Sequence, residues 1–348
     1  MLRIADANNA PESHNPSYSR HKGGGTAALW LWRILGYQSG RASGTESFEA
    51  ANPGSDSWRL PPKARQGLVG VDVTSSVGDL AEVVLIGGTG ESRSLADALS
   101  RQGIPWIATV TSEGGRRLYR DLPGQVVVTR FSPPSLEQFL QERRIRVVVD
   151  ASHPFAQEIS QLAMQVTAQL GIPYLRYERP PVTLDPWVQV APDWQAVLTD
   201  GVLAGRRVLL TVGVKALPLF VPWQDRCQLW ARVLPESVSR AVQAGIPAER
   251  VIGLRLPLSL EQELGLWRQL GPEVAISKES GEAGGLAVKQ AVAKTLGVPL
   301  WVIRRPPLRY PWCSQDLTAV VQECKRRLAS SLQAHQNGSS AGTSASRS

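Results

Sequence analysis

The sequence predicts an α/β protein with two Rossmann-like parallel-sheet domains and a cleft between them. From Glu82 onward, short β-branched runs alternate with amphipathic segments, and the alternation starts again near Arg206 after a stretch rich in Pro and Trp. Continuous apolar strands that alternate with helices are typical of a parallel sheet covered on both faces. A Gly-rich turn after the first strand is the third observation. The expected domains are residues 82–195 and 200–328.

Both ends of the chain lack this pattern. Residues 1–80 are dominated by Asn, Ser, Gly and Pro, and residues 330–348 by Ser, Gly and Ala. Such segments bury too little apolar surface to offset the entropy lost on ordering. We therefore expect a disordered N-terminal extension at 1–80 and a disordered tail at 330–348. The alternative for residues 1–80 is an upstream extension of the reading frame.

The first domain is expected to contain five strands and three connecting helices. Each strand is predicted by a short apolar run, and the second helix carries Leu136, Phe139 and Leu140 on one face with Ser135 as its expected N-cap. The strands are Val83–Ile86, Trp106–Thr111, Gln125–Thr129, Val147–Asp150 and Tyr174–Tyr177, and the helices Ser94–Ser100, Ser135–Arg143 and Ala156–Leu170.

The second domain repeats this alternation. Its apolar runs have strand length, and helical spacing lies between them. The predicted strands are Val208–Val212, Leu229–Val233, Val251–Leu254, Val274–Ser277 and Leu300–Ile303, and the helices Val238–Ala244, Leu260–Leu270 and Leu286–Leu296.

Charge and cysteine content narrow the function classes. The 348-residue chain has a formal charge of +8, but its basic residues occur mostly singly or in pairs and form no dense stripe. This favours a small polyanionic substrate over nucleic acid. The three cysteines show no C-x-x-C spacing, so we expect no disulfide, no metal site and a cytoplasmic location. The apolar run Ala27–Leu35 is too short to span a bilayer, so no membrane association is expected.

The turn after the first strand is a candidate pyrophosphate cradle. Gly87-Gly88-Thr89-Gly90 follows the strand, and a helix is expected to begin near Ser92 or Ser94. Unpaired N–H groups and the positive end of the helix dipole face the same point there. Arg93 occupies the place of the third glycine of G-x-G-x-x-G, so a plain βα turn is the alternative. The expected cofactor contacts are Gly87, Gly88, Thr89, Glu91 and Ser92.

The loop after the second strand is expected to bind the adenosine ribose. An acidic residue there favours a free 2′-hydroxyl, and arginine favours a 2′-phosphate. The loop contains Glu113 but also Arg116 and Arg117, which favours NADPH, with NADH as the alternative. Thr111, Arg116 and Arg117 are therefore candidate cofactor contacts.

Cations or glycines follow nearly every strand of the second domain. Ligands of open parallel sheets bind outside the carboxyl ends of the strands, so these cations indicate an anion with several carboxylates. A solvated surface charge is the alternative for each alone. The Gly-rich segment 278–285 is the sharpest feature, because a lysine precedes a second strand–turn–helix anion site. The candidate substrate contacts are Lys215, Arg232, Lys278, Glu279, Ser280, Gly281 and Arg304.

His153 is the candidate catalytic residue. It follows the strand that ends at Asp150 and precedes Pro154 and a helix. An imidazole there can donate a proton to the substrate, or contact a nicotinamide or a carboxylate. A structural hydrogen-bonding role is the alternative.

Six segments together resemble the precorrin-6A reductases, including the cobalt-precorrin-6A reductases, over roughly residues 82–328. They are Gly87–Glu91, Asp150–Ala156, Pro173–Pro180, Arg232–Pro235, Lys278–Gly281 and Arg304–Pro306. The resemblance implies two Rossmann-like domains with a tetrapyrrole between them and a nicotinamide cofactor on the first. Ser152 stands where the family commonly has threonine, so its hydroxyl is a further candidate cofactor contact. Gly114 stands where an aromatic residue is expected.

The resemblance implies that an NAD(P)H-dependent oxidoreductase reduces one macrocycle double bond of precorrin-6A or cobalt-precorrin-6A in cobalamin biosynthesis. A monomer or homodimer is expected. Another NAD(P)-dependent reductase is an alternative, although residues 82–328 contain no Tyr-x-x-x-Lys pair of the short-chain type. A non-catalytic NAD(P)-sensing protein is a third hypothesis, but it would not need the cations of the second domain.

Overall fold

The computed structural model describes the backbone of residues 81–341 and the side chains of residues 81–330. The expected extension at 1–80 lies outside the described residues. Twelve strands are described: β1 (Val83–Ile86), β2 (Trp106–Val110), β3 (Gln125–Val128), β4 (Val147–Asp150), β5 (Tyr174–Tyr177), β6 (Gln189–Ala191), β7 (Arg207–Thr211), β8 (Gln228–Val233), β9 (Val251–Gly253), β10 (Val274–Lys278), β11 (Leu300–Ile303) and β12 (Cys313–Ser314).

Ten α-helices accompany these strands within the same residues. They are α1 (Gly90–Arg101), α2 (Glu113–Arg116), α3 (Pro133–Glu142), α4 (Gln157–Leu170), α5 (Asp200–Leu203), α6 (Leu217–Phe220), α7 (Val238–Gln243), α8 (Leu260–Leu270), α9 (Leu286–Leu296) and α10 (Leu317–Ala341). No helix of the described chain is both long and apolar enough to cross a membrane.

The strands form two parallel six-stranded sheets, which confirms the predicted α/β fold class. The first sheet has the order β12-β5-β4-β1-β2-β3, and the second β6-β11-β10-β7-β8-β9. Every strand pair is parallel. The strand order reverses between β1 and β4 in the first sheet and between β7 and β10 in the second. Rossmann-type sheets bind their ligands at such a switch point.

Each sheet is covered on both faces. The central strand β1 is buried along its whole length, as expected of a parallel strand with helices on either side. Two apolar clusters flank the first sheet and two flank the second. Each helix therefore buries one face against a sheet. The loops at the carboxyl ends of the strands lie outside these cores.

Two edge strands pair across the expected domain boundaries. Strand β6, expected in the first domain, pairs with β11 of the second sheet. Strand β12, expected in the second domain, pairs with β5 of the first sheet. Helix α10 then packs Val320, Val321 and Cys324 into the first core. It also runs to Ala341, through part of the expected tail, while residues 342–348 lie outside the described residues.

We therefore define a first lobe (residues 81–177 and 313–330) and a second lobe (residues 188–303). Two connectors join them, residues 178–187 and 304–312. Loops from the carboxyl edges of both sheets contact one another: a Cβ on Gly114 of the first lobe would lie 2.7 Å from Glu236 Oε1 of the second. The side chain of Phe155, which follows β4, packs against the core of the second lobe. The carboxyl ends of both sheets thus face one another, and the region between them is called the cleft below.

Candidate active site

The turn between β1 and α1 has the geometry of an anion cradle. Thr89 caps α1, since its hydroxyl accepts from the N–H of Ser92. Gly88 adopts a φ of +98°, which only glycine accepts readily. Within the described residues, no acceptor is found for the N–H groups of Gly90 and Glu91. A Cβ on Gly90 would meet no atom within 4 Å, so a ligand can approach the backbone closely.

Tyr119 holds this turn in shape through its hydroxyl, and no sequence motif predicted this role. The phenol hydroxyl lies 2.6 Å from Ser92 Oγ and accepts from the N–H of Gly88 at 3.1 Å. A Cβ on Gly87 would lie 2.1 Å from that hydroxyl, so only glycine fits. Burial raises the pKa of Tyr119, so the hydroxyl stays protonated. Gly87 and Ser92 therefore hold the shape of the turn rather than offering free groups to a ligand.

The loop after β2 presents arginines to solvent. Ser112 caps the short helix α2 by accepting from the N–H of Gly115. Thr111, Arg116 and Arg117 are exposed, and Arg116 lies 3.8 Å from Glu113 Oε1. A groove of about 680 Å³ runs beside them, lined by Glu113, Arg116, Arg117, Tyr119, Arg120, Leu122 and 124–127.

A buried carboxylate network lies at the end of β4. Asp150 is fully buried, and its oxygens accept from Ser160 Oγ, Tyr174 Oη and Arg176 Nη1 at 2.6, 2.6 and 2.9 Å. The same Arg176 nitrogen donates to Ser152 Oγ, and the Ser152 N–H donates to Asp150. Asp150 and Glu178 raise the pKa of the Arg176 guanidinium and outweigh its desolvation. The expected cofactor contact Ser152 is thus buried in this network, which fixes the loop that carries His153.

His153 is half-buried and surrounded by cations. Its Nδ1 accepts from the N–H of Phe155 at 3.1 Å, which places the proton of the neutral ring on Nε2. Desolvation and then the charges of Lys278, Arg179, Arg305 and Arg176 hold the pKa of His153 well below its usual value. The imidazole is therefore neutral at physiological pH. It offers one N–H donor.

Lys278 reaches the same region from the end of β10. Its Nζ lies 4.9 Å from the centre of the Phe155 ring, and Phe155 lies beside His153 with ring centres 5.9 Å apart. Burial and then the charge of Lys215 lower the pKa of Lys278 to about 8. No acidic partner of its ammonium is found among the described residues. A half-buried cation without a counter-ion is a receptor for an anion.

The loop after Lys278 is held by two arginines of the connectors. Arg305 donates from its backbone N–H to Glu279 Oε2 and from Nε to the Glu279 carbonyl. Arg179 donates to the carbonyl of Ser280. Gly281 has a φ of +76°, and a Cβ there would lie 2.6 Å from Arg179 Cδ. Glu279, Ser280 and Gly281 are therefore held in a fixed loop at the cleft.

The remaining predicted substrate cations lie in three different environments. Lys215 is exposed, with Glu158 of the first lobe 3.5 Å away. The side chain of Arg304 is also exposed. Arg232 is buried instead, and its guanidinium contacts both oxygens of Glu263 at 2.5 Å. The Arg232 side chain lies beneath the end of β8, because Glu263 of α8 supplies a buried carboxylate there.

Arg179 and Arg305 join the two lobes and were predicted only as members of motifs. Arg179 places Nε and Nη2 2.5 and 2.8 Å from the two carboxylate oxygens of Glu91. Arg305 contacts Glu178 Oε1 at 2.8 Å and donates to the Arg179 carbonyl. The connectors are thus tied to each other and to both ligand-facing loops. The signal that could have found them is the charge of two arginines beside Pro180 and Pro306.

Fold and site together define a Rossmann-type α/β protein with two sheets and a cationic cleft between them. The family model "Precorrin-6x reductase CbiJ/CobK" matches residues 82–325. The chain belongs to this family, and it is an oxidoreductase of cobalamin biosynthesis.

Similar proteins cover nearly the same part of the chain. A cobalt-precorrin-6A reductase of Synechocystis sp. is 41% identical over 261 residues, which are 73% of this chain and 100% of that protein. One from Priestia megaterium is 32% identical and covers 66% of this chain and 92% of its own. The solved structure "CobK precorrin-6A reductase" has a TM-score of 0.59 at 24% identity and covers 71% of this chain and 97% of that one, which shows a shared fold.

Proposed function

We propose that this protein reduces one double bond of the precorrin-6A macrocycle with a hydride from NADPH. The observation that carries this proposal is the juxtaposition, at one cleft, of the β1–α1 turn and the unpaired Lys278. A dinucleotide and a polycarboxylate each find their receptor there. Hydride transfer requires the two reactive carbons to be held in contact, and two lobes with facing loops supply that orientation.

The β1–α1 turn fits the diphosphate of a nicotinamide dinucleotide. The free N–H groups of Gly90 and Glu91 and the positive end of the α1 dipole attract an anion there. Gly88 lets the backbone approach it. When bound, the nicotinamide supplies the hydride. The chain's own residues bind and orient the reactants.

The loop after β2 favours NADPH over NADH. Arg116 and Arg117 are exposed at the end of this strand, and a guanidinium matches a phosphate with two parallel hydrogen bonds. Glu113 is 3.8 Å from Arg116, so its charge is partly neutralised. Thr111 lies next to this loop and completes the proposed cofactor contacts.

The cleft side of the second lobe holds the acidic side chains of the macrocycle. Lys278 provides the half-buried cation, and Lys215 and Arg304 provide exposed cations nearby. Carboxylates bound there offset the positive charges around His153 and so raise its pKa. His153 then carries the proton that accompanies hydride addition, and it keeps its Nε2–H available as a donor before that step.

The cobalt-containing macrocycle is the proposed natural substrate, because the relatives at 41% and 32% identity are named for it. A cytoplasmic location is proposed because the three cysteines are free. A monomer or homodimer is proposed for the assembly.

The test is turnover by the purified full-length protein. Cobalt-precorrin-6A and precorrin-6A are each supplied with NADPH or NADH, and cofactor oxidation is recorded together with the macrocycle spectrum. We expect oxidation coupled to a spectral change, faster with NADPH and with the cobalt form. Absence of oxidation with every pair contradicts the proposed reaction. Faster turnover with NADH contradicts the role given to Arg116 and Arg117.

A further inference from the structure

We propose that Arg179 is a positioning residue that neutralises Glu91 at the nucleotide cradle and at the same time holds the Ser280–Gly281 loop at the cleft. The inference rests on the proposed function and deepens it. It assigns to one side chain the connection between the cofactor site and the substrate site.

The first contact of Arg179 is electrostatic. Glu91 lies in the first turn of α1, where the N–H groups and the helix dipole attract an anion. A free carboxylate at this point competes with a diphosphate and repels it. Arg179 places two nitrogens against the two oxygens of that carboxylate, at 2.5 and 2.8 Å. The pair is only slightly exposed, so solvent screens it weakly. Pairing therefore leaves the cradle free to bind phosphate.

The second contact is with the substrate loop. The remaining guanidinium nitrogen donates to the Ser280 carbonyl, two residues after Lys278. Gly281 packs against the side-chain stem, since a Cβ there would lie 2.6 Å from Cδ and 3.1 Å from Cγ of Arg179. The loop that follows Lys278 is thus supported by the Arg179 side chain.

The backbone of Arg179 is fixed independently of these contacts. Its carbonyl accepts from Arg305 Nη1, and the next carbonyl, of Pro180, accepts from Arg305 Nη2. Arg305 also pairs with Glu178. A change confined to the Arg179 side chain therefore leaves the connectors tied and alters the Glu91 and Ser280 contacts, together with the positive charge near His153.

The experiment measures two binding equilibria in Glu91→Gln, Arg179→Gln, Arg179→Lys and the double variant. NADPH binding is followed by calorimetry, and macrocycle binding by its absorption spectrum without cofactor. In Arg179→Gln the bare Glu91 carboxylate should weaken NADPH binding at least about tenfold. In the double variant NADPH affinity should return to within about threefold of the wild type. Macrocycle affinity should stay low in both, because the Ser280 contact is missing.

Two further variants keep the result interpretable. Arg93→Gln, on the same helix and paired with the exposed Asp121, removes the same charge nearby and should change NADPH affinity less than about threefold. Arg179→Lys keeps the positive charge but loses the branched guanidinium that contacts Glu91 and Ser280 together. It should retain NADPH binding and lose macrocycle affinity. This variant tests the inference even where Arg179→Gln fails to fold.

Each other result overturns the inference. Equal losses of NADPH affinity in Arg179→Gln and in the double variant contradict neutralisation of Glu91. Wild-type macrocycle affinity in Arg179→Gln contradicts the role in the loop. A wild-type protein that binds neither NADPH nor NADH contradicts the proposed function itself, and the inference with it.

Discussion

The ammonium group of Lys278 is half-buried. Among the described residues, the electron-rich face of the Phe155 ring is the one favourable partner found for its charge. A cation over an aromatic face gains about 0.5–2 kcal/mol, less than the cost of removing it from water. That imbalance is visible in the lowered pKa of Lys278. The residue is destabilising by itself and becomes favourable once an anionic ligand pairs with it.

Substrate affinity should therefore fall as pH rises through the pKa of Lys278, at about 8. The protonated form binds carboxylates, and bound carboxylates stabilise that form, so binding is accompanied by proton uptake near this pH. The measurement is macrocycle binding from about pH 7 to about pH 9. Lys278→Ala should lower macrocycle affinity about tenfold or more at neutral pH and leave NADPH binding nearly unchanged.

Lys278→Arg is the matched control. Arginine stays charged over this whole range, so the fall of macrocycle affinity around pH 8 should disappear. A wild-type profile that is flat through pH 8, or equal losses of macrocycle and NADPH affinity in Lys278→Ala, would contradict the assignment.

Position at a strand end predicts where a residue stands, but not where its side chain points. Lys278 and Arg232 both lie at the end of a strand in the second sheet. Lys278 reaches the cleft, whereas Arg232 pairs with Glu263, which is 31 residues away and on another element. A partner so distant in sequence leaves no local signal. The edge of the sheet was therefore predictable, and the orientation of Arg232 was not.

Among the elements, the β1–α1 turn depends most on a residue outside it. Ser92 and the N–H of Gly88 both bond the hydroxyl of Tyr119, which comes from a short 3₁₀ helix after α2. Tyr119 also packs against Trp106, with ring centres 5.9 Å apart. The turn is thereby shaped before any ligand arrives.

Tyr119→Phe should lower the free energy of unfolding by about 0.5–1.5 kcal/mol, because the bonds of its hydroxyl to Ser92 and to the N–H of Gly88 are lost while Ser92 keeps its bonds with Thr89. Urea denaturation measures the change. Tyr310→Phe is the control: no hydrogen bond of its hydroxyl is found in residues 81–330, and it should change stability by less than about 0.5 kcal/mol. Equal losses in the two variants would contradict the assigned role of Tyr119.

Helix starts were predicted less well than helix existence. Ser135 was the expected N-cap of α3, but the helix begins one turn earlier, with Ser132 as N-cap. Proline is accepted in the first turn of a helix because its missing N–H has no partner there, so Pro133 and Pro134 lie inside the helix. The apolar face that predicted the helix begins only at Leu136, which is why the pattern missed its first turn.

For the whole molecule, the first lobe depends on chain that follows the second lobe, whereas the second lobe is one continuous stretch. The first lobe is completed by β12 and by α10, whose Val320, Val321, Cys324 and Leu328 are buried. Burying one such side chain contributes about 1.5–3 kcal/mol, so their sum is comparable with the whole stability of an ordinary domain.

A chain ending at Arg309 should therefore fail to fold cooperatively, although it keeps all five other strands of the first sheet. Circular dichroism and thermal melting measure this. A chain ending at Ser330 retains these buried residues and should melt close to the full-length protein. Cooperative melting of the shorter chain at an unchanged temperature would contradict the dependence.

The two sheets were predictable from hydrophobic periodicity and composition. The pairing of the edge strands β6 and β12 was not. Strand β12 has only two residues, Cys313 and Ser314, and no apolar run announces it. Strand β6 is similarly short, with two exposed residues of three. Their pairing is decided by the free edges of β5 and β11, which are tertiary features.

The paired connectors restrict how the lobes move. A single linker would let one lobe swivel in any direction, whereas two connectors tied together by Arg305 should favour rotation about one axis. Each closure would then return the β1–α1 turn to the same position relative to Lys278, and so would align the two proposed binding sites. The alignment of the two proposed sites would thus follow from the chain crossing twice between the lobes.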